Sequence, residues 1–347
     1  MQQWRLPRGG AGLDALALQS NVPIPTPSGS QMVVRMKALS VNYRDYVIAT
    51  QQLFPDTLDN VVPLSDGAGE VSAVGEECTR FKVGDRVALT LCPNNLEGDQ
   101  SEGIGLQPCR GGSRQGVAAE YVLTDEVDAV RIPDYMTYAE AAALPCAGVT
   151  AWSALNSAAQ RLVPGSVVLV EGTGGVSVLA AQLAHAAGCR VLAVSSSKAK
   201  MEPLLGRGLV RDSDWLNYRE QPKWGEAVQA LTPDGRGVDV VVEVVGMSSM
   251  NESVACTRRR GTIAVIGHLN ASQPPEGFRL DLVLMKRLHV VGVHVGPRRD
   301  FEDMLQLMAA REVHPILDPH HFTLAELPRA LELMTSQQHI GKIIITV

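Results

Sequence analysis

Along residues 31–41 (QMVVRMKALSV) apolar and polar positions partly alternate, the period of a half-buried strand. GEVSAVG (69–75) and KVGDRVALTL (82–91) repeat that texture, with Gly75 and Gly84-Asp85 as turn signals. The first stretch of the chain, to about residue 125, therefore predicts β-rich structure broken by turns. Residues 92–116 have little apolar content and many glycines, and read as a long loop. Loops of that length are uncommon and often functional. From residue 134 the pattern changes: DYMTYAEAAALPCAGVTAWSAL is Ala-rich and helical, interrupted at Pro145. Val-rich runs then alternate with helical periods. They are VVLVEG (167–172), a helix at 176–187, RVLAV (190–194), a helix from about 198, VDVVVEVVG (238–246), a helix at about 248–260, and TIAVIG (262–267). Strands this continuously apolar predict a parallel sheet covered on both faces. LHVVGVHVG (288–296) adds a strand; FEDMLQLMAAR and LAELPRALELM read as helices, and KIIITV as a last strand.

Composition narrows the class. The 347 residues suggest two domains, and 45% hydrophobic with 20% charged residues is ordinary for a globular chain with a full core. Net charge is −6 and no long Lys/Arg run exists, which argues against a nucleic-acid partner. The one basic cluster, Arg258-Arg259-Arg260 before Gly261, reads as a helix C-terminus with its glycine. The six cysteines are scattered with no C-x-x-C pair, against a disulfide framework or a Cys-rich zinc site. The N-terminus has no apolar segment of signal-peptide length, and no run approaches a membrane span. The expectation is a reduced, cytoplasmic protein with no membrane partner.

The chemistry centres on VVLVEGTGGVSVLAAQLAHAAG (167–188), where a strand breaks into glycines and a helix follows. Gly172 permits the tight turn; Gly174 and Gly175 lack a Cβ, so a pyrophosphate can approach the backbone and the helix N-terminus. Ser177 stands where a third glycine is usual. An NAD site usually carries an acid about 20 residues on, for the ribose 2′-OH. Here the end of the second strand reads Ser195, Ser196, Ser197, Lys198, Lys200. Hydroxyls and lysines suit a 2′-phosphate, so NADPH is the expected cofactor. Thr173 and Val176 within the turn, and Gly246 and Gly267 after later strands, complete the expected cofactor set with Ser196, Ser197 and Lys200.

VNYRDYVIAT (41–50), PLSDGAGEVSAVGEECTRFKVGDRV (63–87), EAAALPCAGVTAWSAL (140–155), EGTGGVS (171–177) and HIGKIIITV (339–347) occur in an order that resembles the medium-chain dehydrogenase/reductase superfamily over nearly the whole chain. The resemblance implies an α/β protein. A discontinuous GroES-like catalytic domain (1–126 and 300–347) would flank a doubly wound Rossmann domain (127–299), with the active site in the cleft and a homodimer through the strand at 288–296. It also implies that Tyr218, in Leu216-Asn217-Tyr218-Arg219, lies close to the adenosine phosphate, and it makes Thr150 a candidate nicotinamide contact.

The sequence departs from the superfamily's zinc alcohol dehydrogenases. The place of their first cysteine ligand holds Asn42, that of the His-Glu pair holds Ser65-Asp66, and only Cys146 remains. A catalytic zinc takes three protein ligands, so zinc-free chemistry is expected. The structural zinc lobe is missing too; its loop offers only Cys92 and Cys109. Without a Lewis acid the acceptor must be polarised by hydrogen bonds and protonated by a side chain or water. Tyr43 is the preferred donor, because the segment resembles enoyl reductase domains of fatty-acid and polyketide synthases. Asn42 takes the place of an asparagine near the nicotinamide in zinc-free quinone oxidoreductases. The acid of mitochondrial enoyl reductases would fall near Phe54. Asp66 either lines the cleft or caps its turn; Asp45 is expected to pair with Arg44; His268 and His294 stand at strand ends.

The leading expectation is an NADPH-dependent reductase of a conjugated carbonyl: an enone, enal, enoyl thioester or quinone. The 4% aromatic content mildly disfavours a dedicated quinone site. Reduction of a simple C=O and a non-catalytic dinucleotide-binding protein are the alternatives.

Overall fold

The computed structural model describes residues 1–8, 12–50, 56–98, 108–156, 162–267 and 277–347. Phe54 and His268 lie outside them. The chain divides into two compact units, one of residues 1–149, 296–306 and 317–347, the other of 150–295 and 307–316. The expected boundaries stood at 126/127 and 299/300. The first unit extends further because Ala129–Arg131 pairs with Arg86–Leu89 in its sheet, and because helix Tyr138–Ala142 packs on the same sheet.

The first unit is built on a seven-stranded sheet. Its central strand, Gln31–Ser40, pairs antiparallel with Asp66–Val74, Tyr121–Asp125 and the C-terminal strand Lys342–Thr346. The partial alternation predicted one wet face. Instead Met32, Val33, Val34, Met36, Ala38 and Leu39 are all buried, because neighbours and helix cover both faces. Register carries the site. Ser40 pairs with Asp66 on one side and with Ile344 on the other. Antiparallel counting from Ile344↔Ser40 brings Lys342 to Asn42, 300 residues away.

In the second unit six strands run parallel in the order Trp215–Asn217, Arg190–Ser195, Val167–Glu171, Val238–Glu243, Thr257–Val265, His289–Gly292. This is the doubly wound order expected, and it reverses between Val167–Glu171 and Val238–Glu243. Their inward Val, Leu and Ile side chains form its core with Trp224, Met250 and Val254.

One expectation is corrected. The helix Met250–Cys256 stops before the arginines, and Arg258-Arg259-Arg260 lie in the strand Thr257–Val265. Asp239 of the neighbouring strand draws Arg258 into an ion pair at 2.5 Å, and Arg260 takes a positive φ of 60° where the strand register shifts. Among the described residues no helix is long and apolar enough to cross a membrane.

Candidate active site

At one end of the first unit's sheet a set of polar side chains is buried together. The Lys342 ammonium, 3% exposed, donates to Asn42 Oδ1 at 2.5 Å and to the Val41 carbonyl at 2.9 Å, and lies 3.7 Å from Asp66 Oδ2. Asp66 is fully buried; its Oδ1 accepts from the Ser65 hydroxyl at 2.7 Å and its Oδ2 from the Cys146 N–H at 3.0 Å. Asn42 Nδ2 points to Ser65 Oγ at 3.5 Å. The lysine thus holds one end of the Asn42 amide and fixes which way its N–H₂ faces. Sequence reasoning missed Lys342. Its signal was a single charge opening an otherwise apolar strand, KIIITV.

Asn42 also opens the helix Tyr43–Thr50. Its backbone N–H donates to Asp45 Oδ2 at 2.8 Å, while Arg44 Nη1 meets Asp45 Oδ1 at 3.2 Å and the Arg110 carbonyl at 2.9 Å. The expected Arg44–Asp45 ion pair is present. Burial pushes the Asp45 carboxyl up to about 6 against the pull of Arg44. Tyr43, the helix's first residue, is 39% exposed, with its ring 6.0 Å from that of Tyr46. It is not a packed core aromatic.

These groups do not suit zinc. The Asn42 oxygen and both Asp66 oxygens are already taken by N–H and O–H donors, and an ammonium sits among them. Burial, with the Asp66 charge, pushes the Cys146 thiol well up, away from the thiolate a metal needs. Among the described residues no group of three His, Cys, Asp or Glu is placed to hold a metal.

In the second unit the glycine turn stands at the switch point. Gly172 has φ 72° and its N–H donates to the Val194 carbonyl at 2.7 Å. A Cβ on Gly172 or Gly174 would meet nothing within 4 Å, so space beside the turn is open. Helix Gly175–Ala186 starts at Gly174 with no side-chain cap, which leaves its first N–H groups for an anion. Ser177 is buried and donates to the Glu171 carbonyl at 2.6 Å, tying the helix back across the turn. Thr173 is buried and Val176 half-buried. These features fit a dinucleotide diphosphate.

Ser197 caps helix Lys198–Leu205 by accepting from the Lys200 N–H at 3.4 Å. The Tyr218 N–H donates to the Ser195 carbonyl at 3.1 Å. Ser196, Ser197, Lys200 and Tyr218 are therefore gathered at adjacent strand ends. Gly246, with φ 103°, and Gly267 lie at the ends of the next two strands. At Gly267 a Cβ would sit 1.9 Å from the Val244 carbonyl oxygen, so only glycine lets the two backbones pass. Thr150 is buried in helix Val149–Asn156, and His294 is exposed beyond the edge strand.

Two buried acids were missed. Glu171 and Glu243 end the two strands at the switch point, and the Ser253 hydroxyl bridges them at 2.9 and 2.6 Å. Glu243 Oε1 also accepts from the Val245 and Gly246 N–H groups and from the Ser249 hydroxyl, shaping the turn that carries Gly246. Burial, then the Glu243 charge, raises the Glu171 carboxyl well above its usual range. One hydroxyl proton cannot serve two carboxylates at once, so the Ser253 hydroxyl is shared between Glu171 and Glu243. The only hint in the sequence was an acid closing each Val-rich run.

Comparison with known proteins settles the family. Residues 28–134 match the alcohol dehydrogenase GroES-like domain and residues 175–310 the zinc-binding dehydrogenase domain. The chain belongs to the medium-chain dehydrogenase/reductase superfamily. Within it, the chain is 36% identical over 321 residues to a zinc-type alcohol dehydrogenase-like protein of Schizosaccharomyces pombe, covering 91% of each. It is 26% identical to acryloyl-coenzyme A reductase of Metallosphaera sedula, over 93% of this chain and 94% of the relative. A solved NAD-dependent alcohol dehydrogenase matches all of both chains with a TM-score of 0.87 at 26% identity. The chain is thus a dinucleotide-dependent oxidoreductase with a GroES-like domain and a Rossmann domain, as expected.

Proposed function

We propose that the protein is a zinc-independent, NADPH-dependent reductase of a conjugated carbonyl compound, namely an enone, enal, enoyl thioester or quinone. The observation that carries the metal-free reading is the Lys342 ammonium bonded to Asn42 within the places where zinc relatives keep their ligands. NADPH is supported by Ser196, Ser197 and Lys200 where an NAD site would carry an acid.

When bound, the dinucleotide supplies the hydride. Gly172 makes the turn; Thr173, Gly174, Gly175 and Val176 present backbone N–H groups to its diphosphate, and Ser196, Ser197, Lys200 and Tyr218 serve its adenosine end. Thr150 completes the cofactor set. Asn42, its carbonyl held by Lys342, offers the amide hydrogen not directed at Ser65 Oγ to the substrate oxygen where charge develops. Asp66 keeps Lys342 in place. Tyr43, open to solvent, protonates the enolate and regains its proton from water, which can also act alone.

The test is NADPH oxidation by chelator-treated protein on an enone and enal series against the matching saturated aldehydes. Turnover of the conjugated members alone is expected, with Tyr43→Phe slower by about 100-fold. Similar rates on saturated aldehydes would move the reading to carbonyl reduction, which the alcohol dehydrogenase relatives favour. Activity lost on chelation and restored by zinc would overturn the metal-free reading. NADPH binding with no turnover would make it a non-catalytic binder. Equal Kd values for NADH and NADPH would remove the cofactor preference.

A cytoplasmic setting is consistent with six free cysteines. The proposed homodimer forms through the edge strand His289–Gly292, beside which Leu280, Leu284 and Met285 are exposed, Leu284 by 78%. Leu284→Glu is expected to convert a dimer to a monomer in sedimentation velocity. A monomeric wild type would end this proposal.

A further inference from the structure

Cys92 and Cys109 bracket the long loop and lie against each other. The Arg110 N–H donates to the Leu91 carbonyl at 2.9 Å, which sets the segments carrying Cys92 and Cys109 side by side. Both side chains are buried, and each thiol lies near enough to the other to shift its ionisation. The other thiols for which a bond is drawn face oxygen: Cys78 with Glu126, Cys189 with the Val163 carbonyl, Cys256 with the Ser253 carbonyl. Arg44, bonded to the Arg110 carbonyl, sets its charge beside this pair. The Cys92 hydrogen bond first, with help from Arg44, holds the Cys109 thiol below its ordinary range despite burial. The interaction with Cys109, then burial, pushes the Cys92 thiol up. One sulfur is therefore the nucleophile and the other keeps its proton.

We propose that Cys92 and Cys109 are a redox modification site that forms a reversible disulfide in response to a hydroperoxide. The Cys109 thiolate attacks a peroxide oxygen; an S–O bond forms, the O–O bond breaks, and the leaving oxygen takes a proton as alcohol or water. Cys92 then attacks the sulfenic sulfur. The S–S bond forms, the S–O bond breaks, and hydroxide departs with the Cys92 proton as water. Two thiols are oxidised and one hydroperoxide is reduced. The disulfide removes an ionisable thiol from beside Arg44, which also holds Asp45 and through it the Asn42 backbone.

The full-length protein would be treated with hydrogen peroxide, its remaining thiols alkylated, and the digest mapped by mass. The expected result is a linked Cys92–Cys109 peptide pair, lighter by two hydrogens, formed before the other four cysteines react and removed by dithiothreitol. Cys92→Ser should instead leave Cys109 over-oxidised beyond the reach of dithiothreitol. Should that variant fail to fold, the order of oxidation in the wild type decides alone. Alkylation of Cys92 and Cys109 while other cysteines oxidise would overturn the proposal, as would a link formed only after denaturation.

Discussion

Lys342→Met is expected to lower kcat/KM by about 100-fold, the order lost when one polarising group leaves a preorganised site. The methionine fills the space but bonds neither Asn42 Oδ1 nor the Val41 carbonyl, and leaves Asp66 without its buried cation. Removing one partner of a buried pair costs roughly 3–5 kcal/mol, so Tm falls as well. Two further readings separate catalysis from folding. Dinucleotide Kd, read by fluorescence, should stay unchanged, because the glycine turn belongs to the other unit. Lys342→Arg should recover part of kcat, since it restores a charge at that place. A folded Lys342→Met with unchanged kcat/KM would show that the Asn42 amide needs no such anchor.

Glu171→Gln is expected to stabilise the protein, and to do so more as pH rises. Burial, then the Glu243 charge, raises the Glu171 carboxyl, so its pKa is higher folded than unfolded. As pH climbs past about 4, where an unfolded glutamate ionises, the unfolded chain loses this proton first. The wild type therefore has the full contribution below that pH and loses it progressively toward the raised folded pKa. Glutamine carries no proton to lose, and its amide oxygen can still accept from the Ser253 hydroxyl. The gain at pH 8 is on the order of 1–3 kcal/mol, the cost of leaving one buried polar group badly matched. Thermal melts of both proteins from pH 4 to 8 check it. A Tm difference that stays flat across that range would mean Glu171 ionises without penalty in the fold.

The sequence by itself determined what depends on near neighbours in the chain. The alternation of Val-rich runs with helical periods produced the parallel sheet, because both periods repeat within a few residues. The glycine turn between VVLVE and its helix was legible for the same reason: Gly172 needs its positive φ locally. The resemblance to the superfamily's zinc enzymes marked Asn42 and Ser65 as places where their metal ligands are replaced. The tertiary structure decided what depends on pairing across long separations. Strand register brought Lys342 to Asn42 across 300 residues, and the packing of strand ends joined Glu171 to Glu243 through Ser253. Asp239 drew Arg258 into a strand where local propensity suggested a helix end. The strand 31–40 lost its wet face to elements from elsewhere in the chain. A buried polar group must find its partner in space, and periodicity along one segment carries no information about which distant segment will supply it.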